Sequence, residues 1–153
     1  MLSNKTKYAI KALVALARNY DKPMIISDIA VREKIPKKFL EAILLDMKKQ
    51  GILGSKIGIG GGYYLLKKPK DVYLTQVLRT IGGPIALLPC VSLTFYERCE
   101  DCVDEYTCSL RDVALKVRDA SLSIFAETNL EQMVEREKKL KKQETVKKSK
   151  KNS

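Results

Sequence analysis

The sequence predicts a mainly α-helical domain carrying one short β-hairpin, on three observations. Apolar residues recur at helical spacing through most of the first 50 positions and again after position 108. Between them, two short apolar runs flank Gly58-Ile59-Gly60-Gly61-Gly62, the composition of a hairpin tip. With 153 residues the chain can bury one core without disulfide staples.

Taken in order, residues 3–19 read as an amphipathic helix with Ala9, Ala12, Leu13 and Leu16 on one face and Lys5, Lys7, Lys11 and Arg18 supplying charge. Asp21-Lys22-Pro23 ends it. Ser27 is placed to N-cap a short helix over Asp28–Lys34. Ile35 is held extended by Pro36, and Pro36 suits the first position of the next helix. That helix, Pro36–Gln50, carries Phe39, Leu40, Ile43, Leu44 and Met47 and stops at Gly51.

Two helices joined by a turn of about three residues make a helix-turn-helix or an ordinary antiparallel pair. The hairpin that follows, Ile52–Ile57 and Tyr63–Leu66, favours the first: a winged helix-turn-helix with Pro36–Gln50 as recognition helix. The glycine run is not a dinucleotide fingerprint, because Tyr63 stands where G-x-G-x-x-G needs its last glycine. Beyond a turn at Lys68-Pro69-Lys70-Asp71, Thr75 is placed to cap Gln76–Ile81, which Gly82-Gly83-Pro84 terminates.

Ser109-Leu110-Arg111-Asp112 resembles a capping box opening a helix of about five turns. Leu110, Val113, Ala114, Val117, Ala120, Ile124 and Phe125 give it a continuous apolar stripe. Such a stripe packs on its own domain or on a second copy; readers of twofold-symmetric DNA usually dimerise, which favours the second. A last helix is expected after Thr128, with Glu131 completing its cap, dissolving into a tail disordered over 143–153. The expected divisions are a winged-helix domain (1–84), a cysteine-rich loop (85–108), the dimerisation helix with a short helix after it (109–133), and the basic tail (134–153).

The net charge of +11 is shared, +6 in residues 134–153 and +5 in the rest, and suits an anionic partner. The N-terminus lacks an apolar signal segment, and no apolar run approaches the ~18 residues of a membrane span, so the expectation is a cytoplasmic protein with no membrane partner. In that compartment clustered cysteines bind metal or sense redox state more often than they form disulfides. Cys90, Cys99, Cys102 and Cys108 are the four cysteines of the chain, spaced C-x8-C-x2-C-x5-C, and the chain has no histidine. Thiolates suit an iron–sulfur cluster or a structural zinc; the bland alternative is four small buried apolar residues. A redox enzyme built on Cys99-Glu-Asp-Cys102 lacks both the βαβ context and a histidine base.

Several segments together resemble one family. They are Leu2-Ser3, Lys7-Tyr8-Ala9, Ala12-Leu13, Ile35-Pro36, Phe39-Leu40-Glu41, Gly60-Gly61-Gly62-Tyr63 with Leu65, Val77-Leu78-Arg79, Gly83-Pro84, the cysteines, and Val117-Arg118-Asp119-Ala120, covering about residues 1–130 in order. The chain resembles the Rrf-two (BadM/Rrf) winged-helix transcriptional regulators, a family that includes iron–sulfur- and nitric-oxide-responsive members. The resemblance implies a regulator, as a repressor, acting as a homodimer on double-stranded DNA. It implies DNA contacts from Ser27, Lys37, Lys38 and Glu41 and, on the wing, from Lys56, Gly60, Gly61 and Tyr63. Some relatives carry an arginine at the wing tip; Ile57 stands there in this chain, beside Lys56. The resemblance further implies three cysteine ligands, best matched by Cys90, Cys102 and Cys108, plus one variable ligand. The positions of the non-cysteine ligands hold Arg111 and Lys7, which leaves Cys99 as the fourth thiolate of a 2Fe–2S or 4Fe–4S cluster. Zinc, or a thiol–disulfide switch, is the alternative at the same cysteines.

Overall fold

The computed structural model describes residues 2–83 and 85–151; Pro84, and the last two residues of the expected tail, lie outside them. Among the described residues are six α-helices and one two-stranded antiparallel sheet. The first helix, α1 (Asn4–Arg18), opens at Ser3, whose Oγ accepts the Thr6 N–H at 3.1 Å. It is buried on more than one face, with Ala9 and every residue from Ala12 to Ala17 inside. Around it pack α2 (Ile26–Glu33), α3 (Lys37–Lys49), α4 (Leu74–Ile81), α6 (Leu130–Lys151) and the second of the strands β1 (Leu53–Lys56) and β2 (Gly62–Leu65). Leu13, Leu16, Leu40, Ile43, Leu44, Met47 and Val77 fill the centre. A long helix, α5 (Ser109–Glu127), joins this body to the cysteine loop. No described helix is long and apolar enough to cross a membrane.

β1 and β2 pair in the register Leu53↔Leu65 to Lys56↔Gly62. The wing has a third contributor that sequence periodicity does not reveal. Met24 and Tyr63 exchange backbone hydrogen bonds of 2.9 and 2.8 Å, so the segment before α2 lies along β2. That approach explains Gly62: it sits at φ +135°, and a Cβ there would lie 2.3 Å from the Met24 carbonyl oxygen.

Four capping residues differ from expectation, each because the backbone outside the helix is already committed. Ser27 does not cap α2; Ile25 occupies that position, held extended by the Met24 bridge, and Ser27 lies in the first turn. Thr75 does not cap α4; Tyr73 does, pinned because Leu74 N–H donates to Thr128 O at 2.9 Å, and Gln76 Oε1 accepts the Tyr73 N–H at 3.2 Å. Cys108 rather than Ser109 precedes α5, and its Sγ accepts the Arg111 N–H at 3.4 Å. Asn129 and Gln132 form the reciprocal box of α6 at 2.9 Å each way, replacing the expected Thr128 and Glu131.

The tail expected to be disordered continues α6 to Lys151, and the division at 133/134 falls inside that helix. Lys, Glu and Gln are good helix formers, and Glu137 pairs with Lys141 one turn on at 2.9 Å. The start of α6 is docked, with Leu130 and Val134 buried in the main core. Arg18 on α1 then holds two carboxylates. Its Nη2 donates to Glu33 at the end of α2 at 2.7 Å, and its Nε lies 2.8 Å from Glu137 of α6 without the alignment of a hydrogen bond.

Two outcomes are expected. Gly62→Ala loses about 2 kcal/mol of stability through the strained φ and the Met24 clash, read by urea unfolding. The Lys141 hydrogen bond first, and the Arg18 charge after it, hold the Glu137 carboxyl below its ordinary value of 4.5. Its pairing therefore stabilises the fold above that value and is lost as pH falls through the lowered one. The gap in urea midpoint between the parent and Glu137→Gln should narrow as pH falls below the ordinary value of 4.5 and close below the lowered one.

Candidate nucleic-acid interface and cysteine loop

The turn between α2 and α3 is built for a sharp change of direction. Lys34 takes a left-handed φ of 54°, Ile35 N–H donates to Ala30 O at 2.9 Å, and the Ile35 side chain is buried. Pro36, expected as the first residue of the helix, is instead the N-cap of α3, its ψ of 125° keeping it extended, and Leu40 N–H donates back to its carbonyl at 3.0 Å. One face of α3 buries Leu40, Ile43, Leu44 and Met47; the opposite face exposes Lys37, Lys38, Glu41, Ala42 and Leu45. The first three are the expected DNA contacts on this helix, and Ser27 on α2 is exposed as well.

On the wing, Lys56 and Gly60 are exposed, and Ile57 and Ile59 project fully into solvent at the tip. Gly61 is buried, its N–H donating to Gly58 O at 3.0 Å, and Tyr63 is half-buried against Met24. These two shape the wing more than they expose it. Sequence reasoning missed a small cluster at the start of α3, where half-exposed Phe39 meets Tyr8 edge-on at 5.7 Å and Lys7 lies 5.1 Å over the Tyr8 ring.

The cysteine loop has its own small core. Cys90 lies in a 3₁₀ turn, Pro89–Val91, and is buried with Val91 and Ala114 of α5. Ala86, Leu88, Cys99 and Leu115 pack around them. Arg118 fastens this turn to α5 by donating from Nη1 to Val91 O at 2.9 Å. A charged residue beside Val117 of the apolar stripe is the sequence signal for it.

Cys99 packs against the cluster that holds Cys90. The thiol interaction with Cys90 is the first reason that the Cys99 pKa stands above the ordinary thiol value; desolvation and the charges of Cys90, Asp101 and Cys108 add to it. Cys102 N–H donates to Cys99 O at 3.1 Å, closing a tight turn between the two. Cys108 Sγ sits at the N-terminus of α5, where unpaired N–H groups and the helix dipole gather positive potential. The remainder of the loop is acidic and locally braced. Asp104 accepts from Tyr106 N–H at 3.1 Å and Thr107 Oγ1 at 2.9 Å, which lowers its pKa, and Tyr96 OH donates to Glu105 at 2.6 Å.

All four thiols lie on this one loop and its junction with α5, and as soft donors they fit a soft metal. The structure brings Cys90 and Cys99 together, with Cys108 near enough for its charge to act on Cys99. Among the described residues, however, no three Cys, Asp or Glu side chains converge as a formed metal-binding group.

A helix-turn-helix with an antiparallel wing beside it, and lysines on the free face of α3, define a winged-helix DNA-binding protein. A family model for Rrf2, described as an iron-dependent transcriptional regulator, matches residues 2–136, and the chain belongs to this family. Its members are transcriptional regulators, not enzymes. The chain is 44% identical over 138 residues to an Rrf2-like HTH-type transcriptional regulator of Rhodobacter capsulatus, covering 88% of this chain and 92% of that one. It superposes on CymR, the global cysteine regulator of B. subtilis, with TM-score 0.71 and 24% identity, over 88% of this chain and 96% of that one. With T. potens IscR the TM-score is 0.68 and the identity 22%, over 88% and 86% of the two chains. These two likenesses concern the fold.

Lys37→Ala and Lys38→Ala should each weaken binding to all duplexes alike and reduce the salt slope by about 1. Glu41→Gln should instead shift preference at one base position by about 1–3 kcal/mol, read by a binding-site selection.

Proposed function

We propose that this chain is a cytoplasmic, dimeric repressor that reports iron–sulfur, redox or nitric-oxide status through the Cys90–Cys108 loop. In this reading the winged helix (1–84) binds DNA, the loop (85–108) is the input, and α5 joins two copies. The observation that carries it is the seating of the cysteines on the base of α5. Cys90 is buried against Ala114, its turn is held by Arg118, and Cys108 caps the helix. A change in the thiols is thereby a change at the first turns of α5.

Cys90, Cys99, Cys102 and Cys108 would hold the iron–sulfur cluster, which when bound supplies a centre able to gain or lose an electron. The protein's part is mechanical. Leu110, Val113, Val117 and Ile124 leave an apolar stripe exposed along α5, more than a lone helix in water keeps open without cost. A second copy of the chain covers it in this reading. The angle between two crossed α5 helices then sets the spacing of two α3 helices, which must match half-sites ~34 Å apart. A coupling of about 1–3 kcal/mol suffices for a 5–150-fold change in affinity.

One observation favours a second reading. The packing of Cys99 against Cys90 brings together two thiols that hydrogen peroxide could join as a disulfide, the two protons and two electrons they lose reducing the peroxide to two waters. Structural zinc is the redox-silent alternative at the same residues.

Anaerobic purification with iron, sulfide and zinc analysis separates these readings. A coloured protein with iron and sulfide, lost to a similar degree in Cys→Ala variants at all four positions, supports the cluster. A colourless protein with one zinc per chain sinks the sensor. A mass decrease of about two hydrogens on mild oxidation, abolished by Cys99→Ala, selects the disulfide. Val117→Glu should convert the dimer to monomers in light scattering and weaken operator binding at least tenfold.

A further inference from the structure

We infer that the lysine-rich half of α6 is a second phosphate-binding surface, which engages duplex DNA beside the operator independently of its sequence. The inference rests on the DNA-binding reading of the winged helix and adds a second contact to it.

Three observations carry it. First, residues 138–151 hold eight lysines and a single acidic residue, Glu144. Every residue from Lys138 to Lys147 is exposed. Second, this charge is aimed. Leu130 and Val134 bury the start of α6 in the main core, and Arg18 ties Glu137 to Glu33 at the end of α2. Lys138 and Lys141 consequently emerge beside Arg32 of α2, along one depression of the surface. The base of the basic segment thus adjoins α2 of the helix-turn-helix, and it is seated in the same core that holds α3. Third, its pattern fits one kind of partner. Leu140 and Val146 are the apolar residues of the segment, and six positions apart they do not share a helical face. There is no stripe for a coiled coil and no apolar face for a membrane surface.

Lysines four apart, such as Lys138 and Lys142, repel one another along the helix. A polyanion relieves that repulsion. Fourteen helical residues reach about 21 Å. Duplex DNA carries on the order of twelve phosphates along that length. No stereospecific pocket is needed for lysine to act there as a point charge on phosphate.

The test uses the full chain and a random-sequence duplex of about 40 bp, so that base reading contributes nothing. The fourfold variant K138Q/K139Q/K142Q/K147Q spares Lys141, the partner of Glu137, and alters only exposed positions. It should bind at least tenfold more weakly at low salt, and its plot of log affinity against log salt should be shallower by about 2–4, at ~0.9 per lost contact. The matching Lys→Arg variant, which keeps the charge, should bind like the parent. Parent-like binding and slope in the Gln variant overturn the inference. So does unchanged DNA binding with loss of the dimer, which would assign the lysines to the acidic loop of a second copy. A parent that binds neither this duplex nor any promoter duplex overturns the DNA-binding reading and this inference with it.

Discussion

The burial of α1 on several sides at once is the constraint on which the rest of the structure depends. From Ala12 to Ala17 no residue is more than 8% exposed. The alanines in that run let neighbouring helices approach closely, and α2, α3, α4, α6 and β2 all take their position from it. The recognition helix and the base of α6 are therefore packed against one common rod. Neither shifts without opening a core in which side chains interdigitate at the density of an organic crystal. A reading head of this kind has to be stiff, because base-edge contacts are lost when their donors move by fractions of an ångström.

At the end of that rod apolar packing gives way to charge. Arg18 faces Glu33 and Glu137 where α1, α2 and α6 meet, and Lys11 reaches the Glu33 carbonyl oxygen from one side. An ion cluster at a partly buried junction contributes little net stability, but removing one member leaves the others uncompensated. Its effect is positional, in that it fixes where three helix ends lie relative to one another.

Most of the architecture was legible because the helices carry apolar faces at regular spacing and the hairpin is marked by glycines. What escaped was set by contacts distant in sequence. Four caps lie one or two residues from the expected ones because Ser27, Thr75, Ser109 and Thr128 are all good capping residues by type. The backbone beside each was already engaged, by the Met24 bridge, by the pairing of 72–74 with 128–130, or by the Asp104 turn. The length of α6 was missed because a lysine-rich composition reads as disorder, although lysine is itself a good helix former. In the candidate site, the confinement of the cysteines and the exposed lysines of α3 could be seen in the chain. The contact of Cys90 with Cys99, and the role of Arg118 in holding their turn, could not, because residues 92–107 follow no periodic pattern.

The two cores share no residue: Cys90, Val91 and Ala114 form one, and the body around α1 forms the other. That separation has an evolutionary consequence. A substitution in the loop is felt by the loop and by one face of α5, while the folding of the DNA-reading body is left intact. The loop can therefore accumulate changes in cysteine number, spacing and charge that would be lethal inside a single shared core. In the proposed reading, descendants of one such chain can exchange the signal they answer to while keeping the body that binds DNA.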